Sequence, residues 1–177
     1  AIDVHGTITS GSDTTVQTTG TGTITVVGEV ASEGTQTGDD VLVQTSNQAI
    51  SLSQKTAGDT GENVLSTKTG AATVNSGTAD TTIKGNTTVA GALGVTTSTG
   101  AISGKITVGS DEVTPTLSST GSTTNISTTS GAINLYGSAT SATGTSISTN
   151  NTSAANIKVT GSVSSTGDSG NTSIKTN

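Results

Sequence analysis

Cysteine, methionine, phenylalanine, tryptophan and arginine are all absent from this 177-residue chain, which has one proline and one tyrosine. Without cysteine no disulfide framework or thiolate metal site can form, so stability must come from packing and hydrogen bonding. With no arginine and six scattered lysines (Lys55, Lys68, Lys84, Lys105, Lys158, Lys175), there is no clustered positive charge. The formal net charge is −6. A nucleic-acid partner, which requires clustered cations to displace counterions, is therefore not expected. Nor is attraction to anionic lipid. No apolar run approaches the roughly 18 residues of a membrane span, so membrane insertion is not expected either. A single aromatic, Tyr136, makes no stacking platform for carbohydrate.

Hydrophobic residues make up 28% of the chain and charged ones 10%. That is too few apolar side chains for an ordinary globular core, and such polar low complexity is also a mark of disorder. The aliphatic residues are nevertheless periodic and mostly β-branched. A solenoid needs only a thin apolar stripe, about two to four aliphatic residues per coil.

The periodicity rests on a phrase of aliphatic residue, any residue, Thr. It occurs at Val16-Gln17-Thr18, Val43-Gln44-Thr45, Leu65-Ser66-Thr67, Val95-Thr96-Thr97, Ile126-Ser127-Thr128, Ile147-Ser148-Thr149 and Ile174-Lys175-Thr176. The steps are 27, 22, 30, 31, 21 and 27 residues. Repeats of 20 to 50 residues signal a repeat architecture. A second series, beginning with alternating residues such as Ile2-Asp3-Val4 and Ile24-Thr25-Val26, places coil openings near 2, 24, 50, 72, 102, 133 and 157. Strict alternation indicates strands with one face buried. No stretch carries a helical apolar period with caps, so essentially no α-helix is expected. Short strands with Gly, Ser and Asn turns are also compatible with an antiparallel sandwich. The fixed order of opener and Thr-bearing strand favours parallel stacking instead.

The expected fold is an all-β, single-stranded parallel β-helix of about seven coils, one domain over residues 1–177. Its hand is right by the general crossover preference. At about 4.8 Å per coil the stack spans roughly 34 Å. The fourth coil is expected to carry an extra strand pair, around Ile83, Val89 and Leu93. Gly6 is expected at a bend with no room for a side chain. Pro115, which cannot donate to a ladder, is expected at a corner or bulge.

Several residues invite a chemical reading. The phrase threonines Thr18, Thr45, Thr67, Thr97, Thr128, Thr149 and Thr176 share parity with the aliphatic residue and should face inward as a structural ladder bonding along the axis. His5, the one histidine, reads as an outward surface residue rather than a ligand. Asp39-Asp40, Asp59 with Glu62, and Asp111-Glu112 read as turn residues; as calcium ligands they would need clustered oxygens. Asn-x-Ser/Thr triplets at Asn86, Asn125, Asn150, Asn151 and Asn171 arise readily in so Thr-rich a chain. No catalytic residue, cofactor site or metal site is assigned. Glycoside hydrolysis needs two facing carboxylates, and the acids here lie in turns. Outward Thr-x-Thr segments such as Thr7, Thr9, Thr23 and Thr25 keep open a glycan- or ice-binding module.

The phrases Ile-x-Val-x-Gly-x-Ile/Val (2–8, 24–30, 157–163) and Thr/Ser-Gly-Ala-Ile/Ala (69–72, 99–102, 130–133) resemble the repeat region of filamentous-haemagglutinin-like secreted adhesins and of autotransporter passenger domains. The resemblance implies a right-handed parallel β-helix on the bacterial cell surface, serving as the stiff shaft of an extracellular fibre, with a host receptor or glycan as a further partner. The chain starts at Ala1, as a processed chain or a piece of a longer one would. Joining Ile174-Lys175-Thr176-Asn177 to Ala1-Ile2-Asp3-Val4 gives a segment that reads like residues 43–52. Ile2, Val4, Ile174 and Thr176 are accordingly expected to contact either another copy, in a head-to-tail polymer, or neighbouring repeats of a longer chain.

Overall fold

The computed structural model describes residues 1–56, 62–97, 103–150, 155–168 and 170–176. These form a parallel β-solenoid of seven coils with three strands per coil. The first coil is β1 (Ile2–His5), β2 (Ile8–Ser10) and β3 (Thr14–Thr18); the second is β4 (Ile24–Val27), β5 (Val30–Ser32) and β6 (Val41–Thr45). The third is β7 (Ile50–Ser53), β8 (Asn63–Thr67) and β9 (Ala72–Asn75), and the fourth is β10 (Thr81–Lys84), β11 (Asn86–Val89) and β12 (Leu93–Thr97). The fifth is β13 (Ile106–Val108), β14 (Thr116–Ser119) and β15 (Thr123–Thr128). The sixth is β16 (Ile133–Leu135), β17 (Ser138–Ser141) and β18 (Gly144–Thr149). The seventh is β19 (Ile157–Val159), β20 (Val163–Ser165) and β21 (Asn171–Thr176).

Every third strand stacks on its counterpart, giving three seven-stranded sheets, A from β1 to β19, B from β2 to β20 and C from β3 to β21. All pairings are parallel. The pleat then sends alternate residues of each strand into the lumen, so every inward position becomes a column along the axis. The central column of sheet C is Val16, Val43, Val74, Val95, Ile126, Ile147 and Ile174, β-branched throughout. Such side chains are stiff and fill a pleated surface well. The fifth coil buries four aliphatic residues, Ile106, Val108, Leu117 and Ile126, all at 0% exposure. A sparse apolar content thus closes the core because only one narrow stripe needs filling.

Strands of sheet A begin at Ile2, Ile24, Ile50, Ile133 and Ile157, but the fourth begins at Thr81 and not at 72. Ala72 instead pairs with Val41 and Leu93 in sheet C. The Gly-Ala before it resembles an opener, while the true opener carries a buried Thr81 whose hydroxyl donates to Ser76 Oγ at 2.8 Å. The opener at 102 lies outside the described residues, and the fifth strand of sheet A begins at Ile106. Nor do the described residues of the fourth coil hold an extra strand pair. Ile83, Val89 and Leu93 belong to β10, β11 and β12, which make a complete coil.

In the first two coils the corner from sheet A to sheet B is made at a glycine, where the third has Gln54. Gly6 and Gly28 have φ of 152° and 142°. Open space surrounds the position of a Cβ at Gly6, so backbone conformation alone requires glycine there. At Gly28 a Cβ would also lie 2.2 Å from the Gly6 carbonyl oxygen. Pro115 sits at the same corner of the fifth coil, just ahead of β14, and its carbonyl accepts from Ser138 N–H at 2.9 Å.

Candidate functional site

The threonines of the aliphatic-x-Thr phrase act mainly within their own coils, whereas Thr14, Thr124 and Thr145, at the other end of the sheet C strands, donate to carbonyls of the coil that follows. At the end of sheet C, Thr18 Oγ1 donates to Gly22 O at 2.7 Å, Thr97 to Gly104 O at 2.8 Å and Thr128 to Gly131 O at 2.6 Å. Thr45 makes the same bond to Gln48 O and also reaches Ser76 O, one coil on, at 3.3 Å. Each hydroxyl thus fastens the turn that leads into the next coil, where an unpaired carbonyl would otherwise cost about 1–3 kcal/mol. The expected Thr-to-Thr bonding along the axis is not what these hydroxyls do. The third member of the column is Ser76, which donates to Ala79 O at 2.6 Å. Thr67 lies in sheet B, where β8 pairs with β5 and β11, and its hydroxyl donates to Gly70 O at 2.5 Å. Thr149 Oγ1 is buried with no partner among the described residues, and Thr176 is exposed.

A second polar system joins neighbouring coils. Asp13 Oδ1 accepts the Asp40 N–H at 2.9 Å, and Asp40 Oδ1 accepts the Ala71 N–H at 2.7 Å. In sheet A, Asp80 Oδ1 accepts the Lys105 N–H at 2.7 Å; in sheet B, Asn86 Oδ1 accepts the Thr116 N–H at 2.9 Å. In each case a residue at or just ahead of a strand start caps an amide one coil later. The sequence reading missed this system because each acid or amide side chain and its N–H partner are 25 to 31 residues apart.

The acidic pairs do different things. Asp39 is buried and accepts the Gln36 N–H at 2.7 Å, while its neighbour Asp40 serves the inter-coil ladder. Glu62 Oε2 accepts the Lys55 N–H at 3.2 Å, and Asp59 and Asn151 lie outside the described residues. Asp111 and Glu112 are exposed in the turn after β13. Among the described residues no group of three or more His, Asp and Glu gathers to hold a metal ion. His5 points outward at the end of β1, with Nε2 3.4 Å from Asp3 Oδ1. The outward threonines do not form one plane: Thr25 is on sheet A, whose outward column includes Asp3, Ser51 and Asn134, and Thr9 is on sheet B.

At the two ends of the stack the apolar columns are only partly covered. In the first coil Ile2, Val4 and Ile8 are only partly buried, and in the last coil so are Ile157, Val159 and Val163. Ile174 is 52% exposed, the one large hydrophobic exposed to this extent among the described residues. Within this chain β1, β2 and β3 have no strand on one side, and β19, β20 and β21 none on the other. Both ends therefore present apolar columns ringed by unpaired backbone N–H and C=O groups, the arrangement that templates a further strand. The two faces match column by column. Following each column from last coil to first, Ile157 corresponds to Ile2, Val159 to Val4 and Val163 to Ile8. On sheet C, Thr172 corresponds to Thr14, Ile174 to Val16 and Thr176 to Thr18. The four residues expected at a junction thus fall in two places. Ile2 and Val4 are inward on the first coil's sheet A, and Ile174 and Thr176 are inward on the last coil's sheet C. No protein-family model, curated protein or solved structure matches the chain.

Proposed function

We propose that this solenoid is a structural element, the shaft or a shaft subunit of an extracellular fibre or adhesin on a bacterial surface, lengthened by coils that stack on its two ends. The observation that carries the reading is the match between the end faces: each exposes a cross-section of the same apolar columns beside unpaired strand edges. The resemblance of Ile2–Ile8, Ile24–Val30 and Ile157–Val163 to filamentous-haemagglutinin-like and autotransporter repeats supports a secreted, surface-bound setting. The polar groups suit a shaft: inward hydroxyls fasten the turns and exposed carboxylates fasten one coil to the next.

Light scattering and negative-stain imaging of the purified chain over a concentration series test this reading. Rods longer than one solenoid, growing with concentration, are expected. A particle that stays a single solenoid at the highest soluble concentration would refute end-to-end extension.

A further inference from the structure

We propose that a groove on the outer face of sheet C takes the lysine side chain of another polypeptide. The groove lies along the side of the solenoid and does not depend on stacking at its ends. It has a volume of about 290 Å³, and its lining includes Asp13, Thr15, Asp40, Leu42, Ala71 and Thr73. Strand register brings these distant residues together. Thr15, Leu42 and Thr73 are successive members of one outward column. Asp13, Asp40 and Ala71 stand one residue ahead of Thr14, Val41 and Ala72, which form the adjoining inward column, so they flank the groove on the same face.

The groove combines an apolar wall with negative charge. Leu42 is the one aliphatic side chain among the outward residues of the described sheet C strands, which are otherwise Thr, Gln, Asn, Ser, Gly and one Lys. It contributes nothing to the lumen. Asp13 and Asp40 are exposed, and neither forms an ion pair among the described residues. Each commits one oxygen to the coil that follows: Asp13 Oδ1 accepts the Asp40 N–H at 2.9 Å, and Asp40 Oδ1 accepts the Ala71 N–H at 2.7 Å. The two Oδ2 atoms have no hydrogen bond among the described residues. They belong to coils stacked about 4.8 Å apart.

This arrangement selects the ligand. Two unpaired carboxylates call for a cation, and Leu42 and Ala71 call for an aliphatic stem that lies along them. An ammonium is a compact charge with three donors, so it can bond one oxygen of each carboxylate. A guanidinium fork is best matched by both oxygens of one carboxylate, and here one of the two already serves an amide. Lysine therefore fits better than arginine. The next outward column favours a lysine carried on a polypeptide over a free amine. Gln17 Nε2 donates to Gln44 Oε1 at 3.2 Å, which leaves Gln17 Oε1 and Gln44 Nε2 for the N–H and C=O of a bound main chain.

The test is ligand-observed saturation-transfer NMR with Nα-acetyl-lysine N-methylamide, which reads binding to a single solenoid and to a rod alike. Saturable binding on the order of millimolar is expected for two solvent-exposed charge contacts beside a short apolar wall. Asp13→Asn and Asp40→Asn keep the side-chain oxygen that caps the next coil, as Asn86 does toward Thr116 N–H at 2.9 Å. Each should bind about two- to five-fold more weakly, with an unchanged circular dichroism spectrum. Leu42→Thr should weaken binding several-fold, and added salt should weaken it in the wild type and not in the double Asn variant. The arginine analogue should bind more weakly than the lysine one. So should pentylamine, which has the stem and the ammonium without the peptide groups. Absence of saturable binding, or binding unchanged in the double Asn variant, would overturn the site. Equal binding of the arginine analogue would overturn the choice of an ammonium, and equal binding of pentylamine the choice of a polypeptide. Should an Asn variant unfold, Leu42→Thr and the norleucine analogue, which has the stem without the charge and should not bind, carry the same comparison. Rods without lysine binding would overturn this site alone, and lysine binding without rods would overturn end-to-end extension alone.

Discussion

Ile126 and Ile174 occupy the same column of sheet C, two coils apart, and comparing their truncations tests the solenoid core and its open end together. Ile126 is at 0% exposure, between Val95 beneath and Ile147 above. Ile126→Ala removes three carbons from a site whose walls are held at the strand spacing by three sheets, so the gap has little means of collapsing. Such substitutions cost about 2–5 kcal/mol, with the higher values where the cavity persists, and the cost here should be about 3–5 kcal/mol. Ile174 has a neighbour on one side only and is 52% exposed. Burying an isoleucine completely is worth about 1.5–3 kcal/mol, so about half of that is realised in the single chain. Ile174→Ala should cost a dilute chain about 1 kcal/mol, and the unrealised half should appear as a roughly tenfold weaker junction between copies. Urea denaturation at low concentration measures the first effect, and sedimentation at high concentration the second. If Ile126→Ala cost no more than Ile174→Ala in the dilute chain, the stripe of stacked β-branched residues would not be the core. If Ile174→Ala left association unchanged, the last coil would not be the surface that stacks.

Thr87 is inward, fully buried, and its hydroxyl has no hydrogen-bond partner among the described residues; its column neighbours are Leu65 and Leu117. Thr87→Val keeps the shape and removes a stranded polar group, so it should stabilise the chain by about 1–2 kcal/mol, seen as a rise in Tm. Gly28→Ala should destabilise by about 3 kcal/mol or more, since its Cβ meets the Gly6 carbonyl and its φ disfavours any side chain. Gly20→Ala, with open space around the added carbon, is the control and should be nearly neutral in the same denaturation assay. Thr128→Val should cost about 1–2 kcal/mol by stranding the Gly131 carbonyl, with faster amide exchange in residues 129–132 as the local readout.

The sequence discloses the solenoid because its strands obey a two-residue period and the coil interior repeats. It misleads where a strand of one sheet imitates another. Val64-Leu65-Ser66-Thr67 carries the aliphatic-x-Thr phrase but lies in sheet B, while the sheet C strand of that coil ends in Val74-Asn75, with Ser76 next. Serine and threonine are interchangeable as donors to the turn carbonyl, so the column tolerates Ser76 where a pattern search requires Thr. The opener at Thr81 is hidden for the opposite reason. Its partners in the column, Ile50 and Ile106, are aliphatic, whereas Thr81 is buried by bonding to Ser76. Corners also vary in length, with short turns at Gly6 and Gly28 but longer segments between β5 and β6 and between β13 and β14. Coil length in residues therefore says little about where a coil begins.

The same degeneracy bears on the ends. Inward columns are so uniform that the cross-section of one coil fits almost any other, and Ile-x-Val on β1, β4 and β19 is nearly one sequence. Such a surface supplies adhesion without discrimination, and specificity must come from elements that reject the wrong neighbour. The outward positions alone are free to differ, since they need only suit solvent. That is why Ile2, Val4, Ile174 and Thr176 are legible in the repeat as inward residues of the first and last coils, while the outward column of Asp3 and Lys158 is not: the two share it only through the register of all seven strands in sheet A.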